Sequence, residues 1–308
     1  MAVCGICLKP TADAADYHPQ CAMRLFGTRR VPHFDVEMAE LYAQAARLAG
    51  KMSISGVQIK LSMKVSEDQS RLELVSAGGR YILKPPQAVF PNLAENESLT
   101  MRIADMVGIE IPPHGLLRLK DGSMAYIIKR FDRPEGGGKL QVEDFCQLAG
   151  VSAAEKYTGS AELCVRLLRQ FADEPLIEIR KLFRLMLLSW WVCNGDLHLK
   201  NLSMLTLGDG RHQLSPAYDL VNTRLVIPDD YALSLPVCGK KDSITRRTWL
   251  DFAKYCDLPV KAAESLLSAQ IDALGAATDL IQQSFLLPAQ KNQYAQMITE
   301  HTRVLQGH

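Results

Sequence analysis

The sequence has almost no net charge: 35 Lys and Arg stand against 34 Asp and Glu, a formal +1. No overall field therefore draws the chain to nucleic acid or to an anionic membrane, and any polyanion contact must come from local patches. Long apolar runs are missing as well. The most apolar stretch, residues 185–193, is about half of the roughly 20 residues a helix needs to cross a bilayer, and it reads as a buried helix. The start, Met1-Ala2-Val3-Cys4, lacks the basic and apolar regions of a secretion signal, which implies a cytoplasmic chain with no membrane partner. Internal repeats and low-complexity tracts are absent too. What is present is ordinary for a folded chain: 47% apolar and 22% charged residues exclude a disordered or collagen-like protein. At about 150 residues per domain, 308 residues suggest two lobes. Eight cysteines in a reducing compartment are thiols or metal ligands, not a disulfide framework.

Residues 36–49 have helical spacing and stop at Gly50. Residues 57–65 then alternate apolar and polar, the period of a strand. Strands 72–75 and 81–83 flank Gly78-Gly79, which predicts a hairpin, and Pro85-Pro86 puts Lys84 at a strand end. A helix over 94–107 follows, then strands 115–119 and 124–131 joined by Asp121-Gly122. The stretch Arg133-Pro134-Glu135-Gly136-Gly137-Gly138 is the most linker-like segment. Beyond it, helices are predicted over 142–148, 161–171, 176–193, 248–255, 260–287 and 289–305, interrupted by a hairpin over 201–214. The expected organisation is α+β and bilobal: a Cys/His knuckle over 1–35, a β-rich lobe over 36–133 and a helical lobe over 134–308.

The chemistry concentrates in Asn194-Gly195-Asp196-Leu197-His198-Leu199-Lys200-Asn201. In protein kinases an Asp accepts the substrate hydroxyl proton and an Asn five residues later holds magnesium, the spacing of Asp196 and Asn201. After the hairpin, Asp219 stands where a second Mg²⁺ ligand is needed, and hard oxygen ligands suit that ion. His198 either positions phosphate or Asp196, or satisfies a loop carbonyl; Lys200 either neutralises developing phosphate charge or is an exposed lysine. In the other lobe, Lys84 is placed like the lysine that pairs nucleotide phosphates, with Glu95 or Glu97 as its partner. The segment from Met52 to Lys60 occupies the place of a phosphate-covering loop, although it carries one glycine where the generic motif has three.

Six ordered motifs, Ser53-Ile54-Ser55-Gly56-Val57-Gln58-Ile59-Lys60, Ile82-Leu83-Lys84-Pro85, Ala94-Glu95-Asn96-Glu97, Lys129-Arg130-Phe131-Asp132-Arg133, the 194–201 loop and Pro216-Ala217-Tyr218-Asp219, together resemble the HipA-like serine/threonine kinase toxins. The resemblance implies a protein-kinase-like, phosphatidylinositol-kinase-related fold, with ATP and Mg²⁺ as cofactors. It implies Asp196 as catalytic base and Asn201 and Asp219 as magnesium ligands, while His198 and Lys200 are the further catalytic candidates read from the loop itself. Ser55, Gly56, Val57, Gln58, Lys60, Lys84, Lys129 and Phe131 would contact ATP, with Lys129 and Phe131 at the hinge. Ser53 and Ser55 would be autophosphorylated, and two serines in this loop resemble the short HipT-type branch. That branch implies an aminoacyl-tRNA synthetase substrate, tryptophanyl favoured, and two partners: a small antitoxin-like protein standing in for an N-terminal subdomain, and a DNA-binding antitoxin. The competing expectations are a small-molecule phosphotransferase and an inactive kinase-like scaffold.

Cys4, Cys7, His18 and Cys21 form C-x2-C-x10-H-x2-C, two close ligand pairs of the kind that hold tetrahedral Zn²⁺. Buried free thiols and a nucleic-acid-binding finger are the other readings.

Overall fold

The computed structural model describes residues 2–12, 15–34, 36–49, 59–227 and 229–307, with side chains of 44–49 excepted. Ser53, Ser55, Gly56, Val57 and Gln58 of the expected phosphate loop lie outside the described residues. The chain divides into two units: residues 1–99, 112–130 and 283–286 form one, and 100–111, 131–282 and 287–308 the other.

The first unit is built on a five-stranded antiparallel sheet: β1 (Leu61–Val65), β2 (Leu72–Leu74), β3 (Tyr81–Lys84), β4 (His114–Arg118) and β5 (Met124–Lys129), in the order β2-β1-β3-β5-β4. The alternation seen in the sequence sets its faces. Leu61, Met63, Tyr81, Leu83, Leu117, Ala125 and Ile127 turn to one side and share a core with Cys4, Ile6, Leu25, Phe26 and Leu41. Lys84 and Tyr126, paired across β3 and β5, lie on the opposite face. Two helices precede the sheet, α1 (Pro19–Phe26) and α2 (Met38–Ala49), and α3 (Leu93–Met106) follows β3.

Three expectations change here. Residues 72–83 are not a hairpin, because β1 lies between β2 and β3. Gly79 makes the crossing possible: a Cβ there would stand 2.9 Å from the backbone of Met63. Residues 1–35 are not a separate module but share the sheet's core. The chain leaves this unit after Leu99, returns at Pro112 and leaves again after Arg130, before the Gly-rich segment.

The second unit holds the antiparallel sheet β6 (Gln141–Asp144), β7 (Ser203–Thr206) and β8 (His212–Leu214), in that order, and the helices α4 (Phe145–Ala149), α5 (Ala161–Phe171), α6 (Pro175–Trp191), α7 (Arg246–Tyr255), α8 (Val260–Asp272), α9 (Leu274–Gln283) and α10 (Pro288–Gln306). Residues 142–148, read as one helix, split because residues 141–144 pair with β7, and Asp144 then caps α4 with a capping box. The long helix over 260–287 breaks at Ala273. Helix α6 is buried along most of its length, from Ile179 to Trp191. Trp191 donates its Nε1–H to Thr302 on α10 at 2.8 Å, and Trp190 stacks on His301 with ring centroids 4.3 Å apart. His301 donates from Nδ1 to the Trp191 carbonyl at 3.2 Å.

Burial holds the His301 pKa below its ordinary 6.5, so the folded ring is neutral. The unfolded chain then takes up its proton first. The stability tied to the neutral ring is complete above the unfolded pKa and is lost as pH falls below it. Urea unfolding at pH 7.5 and 5.5 is expected to show a larger acid loss of stability for wild type than for His301→Gln; equal losses would contradict this role.

Candidate active site

In the second unit, α6 leads directly into the 194–201 loop. The turn is forced by Val192, the helix cap, and by Cys193 in the left-handed region at φ 56°. Asn194 is fully buried; its amide donates to the Ser189 carbonyl at 2.8 Å, and its Oδ1 accepts from the Asp196 amide at 3.2 Å. The Gly195 amide donates to Thr223 Oγ1 at 2.9 Å. That hydroxyl lies between the Cys193 carbonyl and the Asp230 carboxylate, and the Ser234 hydroxyl donates to the Gly195 carbonyl. Buried amides and carbonyls that lack a regular ladder must find such partners, and here Thr223 and Ser234, distant in sequence, supply part of them while Asn194 and Asn201 supply others from within the loop.

The result is a loop with a buried backbone and one projecting carboxylate. The Asp196 side chain is 46% exposed, against 6% for His198. Asp196 Oδ1 accepts from the Tyr157 hydroxyl at 2.9 Å and lies 3.8 Å from His198 Nε2. Burial, reinforced by that bond to Asp196, pushes the Tyr157 phenol up to about 12, so it remains a donor at neutral pH. Burial likewise lowers the His198 pKa, against the pull of Asp196 and Asp219, so both carboxylates lie within electrostatic reach of one ring. The His198 ring meets the edge of Tyr157 with centroids 5.1 Å apart, and among the described residues its buried Nδ1 has no hydrogen-bond partner.

Asn201 sits at the end of a 3₁₀ turn, Leu199–Asn201, and its Nδ2 donates to the Asp196 carbonyl at 3.0 Å, tying the two ends of the loop together. Lys200 does not project freely: it is paired with Asp144 at 2.6 Å, the cap of α4, and this bond raises its pKa. Asp219 has φ 55°, an uncommon conformation for a residue with a side chain. The preceding Tyr218 is fixed by Ser203 Oγ at 2.6 Å, by the Lys200 carbonyl at 3.1 Å and by a ring contact with Phe131 at 5.7 Å. Asn201 and Asp219 carry the oxygen donors that suit Mg²⁺.

In the first unit, Lys84 is 2% exposed and paired with Glu97 of α3 at 2.6 Å, with its ammonium 5.5 Å from the Tyr126 ring centre. Of the two acidic candidates on α3, Glu97 is the partner; Glu95 turns to Asn92 and is pushed up by burial. Lys129 ends β5 opposite Tyr81, and Lys60 lies exposed just before β1. Cys4, Cys7, His18 and Cys21 come together, all four ligand atoms within 4.8 Å of one another. Sequence reasoning missed Tyr157, Asp144, Thr223, Asp230 and Ser234, none of which lies in a recognisable motif.

Gly195 has no room for a side chain, since a Cβ would collide with the Asp230 carboxylate, whereas nothing lies within 4 Å of a Cβ at Gly208. Gly195→Ala is expected to cost about 1–3 kcal/mol in urea unfolding. Gly208→Ala should stay within about 0.5 kcal/mol.

Comparison with known proteins places these features in a family. Residues 52–278, well over half of the chain, match the family model of the HipA-like C-terminal domain. Y4mE of Sinorhizobium fredii, which carries a provisional kinase name, is 28% identical over 238 residues, covering 74% of this chain and 56% of that protein. The chain thus spans about half the length of this curated relative. Among solved structures, HipA of Shewanella oneidensis, in complex with HipB and operator DNA, superposes with a TM-score of 0.69 at 20% identity, covering 87% of this chain and 70% of that one. The Helicobacter pylori proinflammatory kinase CtkA gives a TM-score of 0.58 at 14% identity, covering 83% and 91%. These likenesses establish a kinase-like fold, and with residues 52–278 matched, the chain belongs to the HipA-like C-terminal domain family.

Proposed function

We propose that the chain is an ATP-dependent serine/threonine protein kinase that acts as the toxin of a toxin–antitoxin system. The observation that carries the reading is the partly exposed carboxylate of Asp196 on a loop whose Asn194, Leu197, His198, Leu199 and Asn201 are buried, five residues before Asn201. In this reading Asp196 is the base. The Tyr157 hydroxyl occupies Oδ1, leaving the other oxygen to take the proton from an attacking hydroxyl. The hydroxyl oxygen bonds to the γ-phosphorus as the bond to the β-phosphate oxygen breaks, ADP leaves, and Asp196 releases its proton to solvent. The hydrogen bond from Tyr157 orients Asp196, and the buried His198 ring, 3.8 Å away, packs beside it.

Asn201 and Asp219 would hold Mg²⁺, which supplies charge neutralisation at the phosphates. Lys84, kept in place by Glu97, would pair with the nucleotide phosphates, as the strand lysine and helix glutamate of kinases do. Lys60 and the 55–58 segment would cover those phosphates, and Lys129 and Phe131 would flank the nucleotide. Lys200, already matched by Asp144, serves to hold α4 against the loop.

The substrate we assign is an aminoacyl-tRNA synthetase, tryptophanyl favoured, with autophosphorylation at Ser53 or Ser55 as the regulatory step. A DNA-binding antitoxin is supported by the HipB and operator DNA bound to the Shewanella relative. A small protein equivalent to an N-terminal subdomain is the second partner. Among the described residues no helix is long and apolar enough to cross a membrane.

Incubation of wild type with γ-labelled Mg-ATP and purified synthetases tests the reading. Label is expected on the chain itself and on one synthetase, and Asp196→Asn should lower it about a hundredfold or more. Label entering only small molecules would indicate a small-molecule phosphotransferase. No transfer at all would indicate a scaffold.

A further inference from the structure

Residues 2–12 and 15–34 form a strap along the first unit's sheet, and it is fastened at both edges. At the β4 edge the Leu116 amide donates to the Gly5 carbonyl at 2.8 Å, the Tyr17 hydroxyl donates to the Leu116 carbonyl at 3.1 Å, and Gly115 leaves space for Ile6. At the β2 edge His33 exchanges backbone bonds with Ser70 and Leu72 at 2.7 and 3.0 Å. Between them Phe26 rests on Tyr81 of β3, with ring centroids 5.5 Å apart. Apart from α1, only eight residues long, the strap has almost no regular structure of its own. Such a segment cannot order itself by local propensity.

Four side chains converge where the strap begins. The turn carrying Cys4 and Cys7 is tight: the Leu8 amide donates to the Cys4 carbonyl at 3.0 Å, and Leu8 is held at φ 61°, a costly conformation for a leucine. Cys4 is fully buried, and its sulfur accepts from the His18 amide at 3.4 Å. Amides aimed at a sulfur are what a thiolate ligand requires. His18 Nε2 lies 3.0 Å from the Pro10 carbonyl, which makes Nε2 the protonated nitrogen. The Nδ1 lone pair is thereby directed at the sulfurs of Cys7, 3.2 Å away, and Cys21, 3.9 Å away. Ligands at tetrahedral Zn²⁺ stand roughly 3.5–3.8 Å apart, given Zn–S near 2.3 Å and Zn–N near 2.0 Å. All four donor atoms lie within 4.8 Å of one another, and the three cysteines form no disulfide.

We propose that Cys4, Cys7, His18 and Cys21 bind one structural Zn²⁺ through three thiolates and Nδ1, and that this ion fastens the N-terminal strap to the β4 edge of the sheet. Binding releases the thiol protons still present, so affinity falls with acidification. A closed set of four protein ligands leaves no position for substrate, which makes the site structural. The inference holds whether or not the chain transfers phosphate.

Metal analysis of the full chain, purified without chelator, tests it, with one Zn²⁺ per chain expected. Exchange for Co²⁺ should give the intense visible bands of a tetrahedral thiolate site. Cys7→Ser with Cys21→Ser should reduce both signals to background, while His18→Cys and Cys238→Ser keep them. Removing the metal from wild type with a chelator should lower the melting temperature and speed cleavage of the first unit by protease. Folded wild type that holds no zinc, gives no cobalt bands, or carries a disulfide among these cysteines would overturn the proposal.

Discussion

The loop after α6 buries most of its backbone while one carboxylate stays partly in water, and side chains from several segments of the second unit meet that demand. A loop of this kind loses its ladder of hydrogen bonds, and each orphaned amide in a dry interior costs about 1–3 kcal/mol. The chain meets the cost with side chains from three separate segments: Asn194 within the loop, Thr223 after Asp219, and Ser234 beyond it. Asp230 holds Thr223, and the absence of a side chain at Gly195 makes room for that carboxylate. Asp196 is thus held in place by a frame of hydrogen bonds.

A second constraint governs the first unit. Lys84 and Glu97 are both almost fully buried, and two charges removed from water are tolerable only as a close pair. The pair is worth little as a source of stability. Its value is positional, because it fixes the register of α3 against β3. The opposite face of the same sheet is covered by the N-terminal strap, so the two faces differ in role, one holding an ammonium group and the other sealing the core.

Much of this is legible in the residues because it is local. The spacing from Asp196 to Asn201, the alternation through Met63 and the Asp121-Gly122 turn can all be seen within a few positions, and the structure has Gly122 at φ 84° joining β4 to β5. What depends on long-range pairing is not legible. Gly78-Gly79 signals a turn but not that β1 intervenes, and the helical look of residues 142–148 hides a strand whose partner lies some sixty residues on. Helix α1 escaped notice because it is short and begins at the proline after a metal-type histidine. Tyr157, Asp230 and Ser234 escaped for the same reason as β6: nothing near them in sequence marks their contact with the loop.

The central claim is that the 194–201 loop and Asp219 form a nucleotide-processing site in which proton acceptance and metal binding fall to separate residues. Calorimetric titration of ATP in the presence and absence of Mg²⁺ tests it most directly. The account predicts Mg²⁺-dependent ATP binding by wild type and by Asp196→Asn, with that dependence lost in Asp219→Asn. Wild type that binds no ATP, or binds it equally well without magnesium, would contradict it.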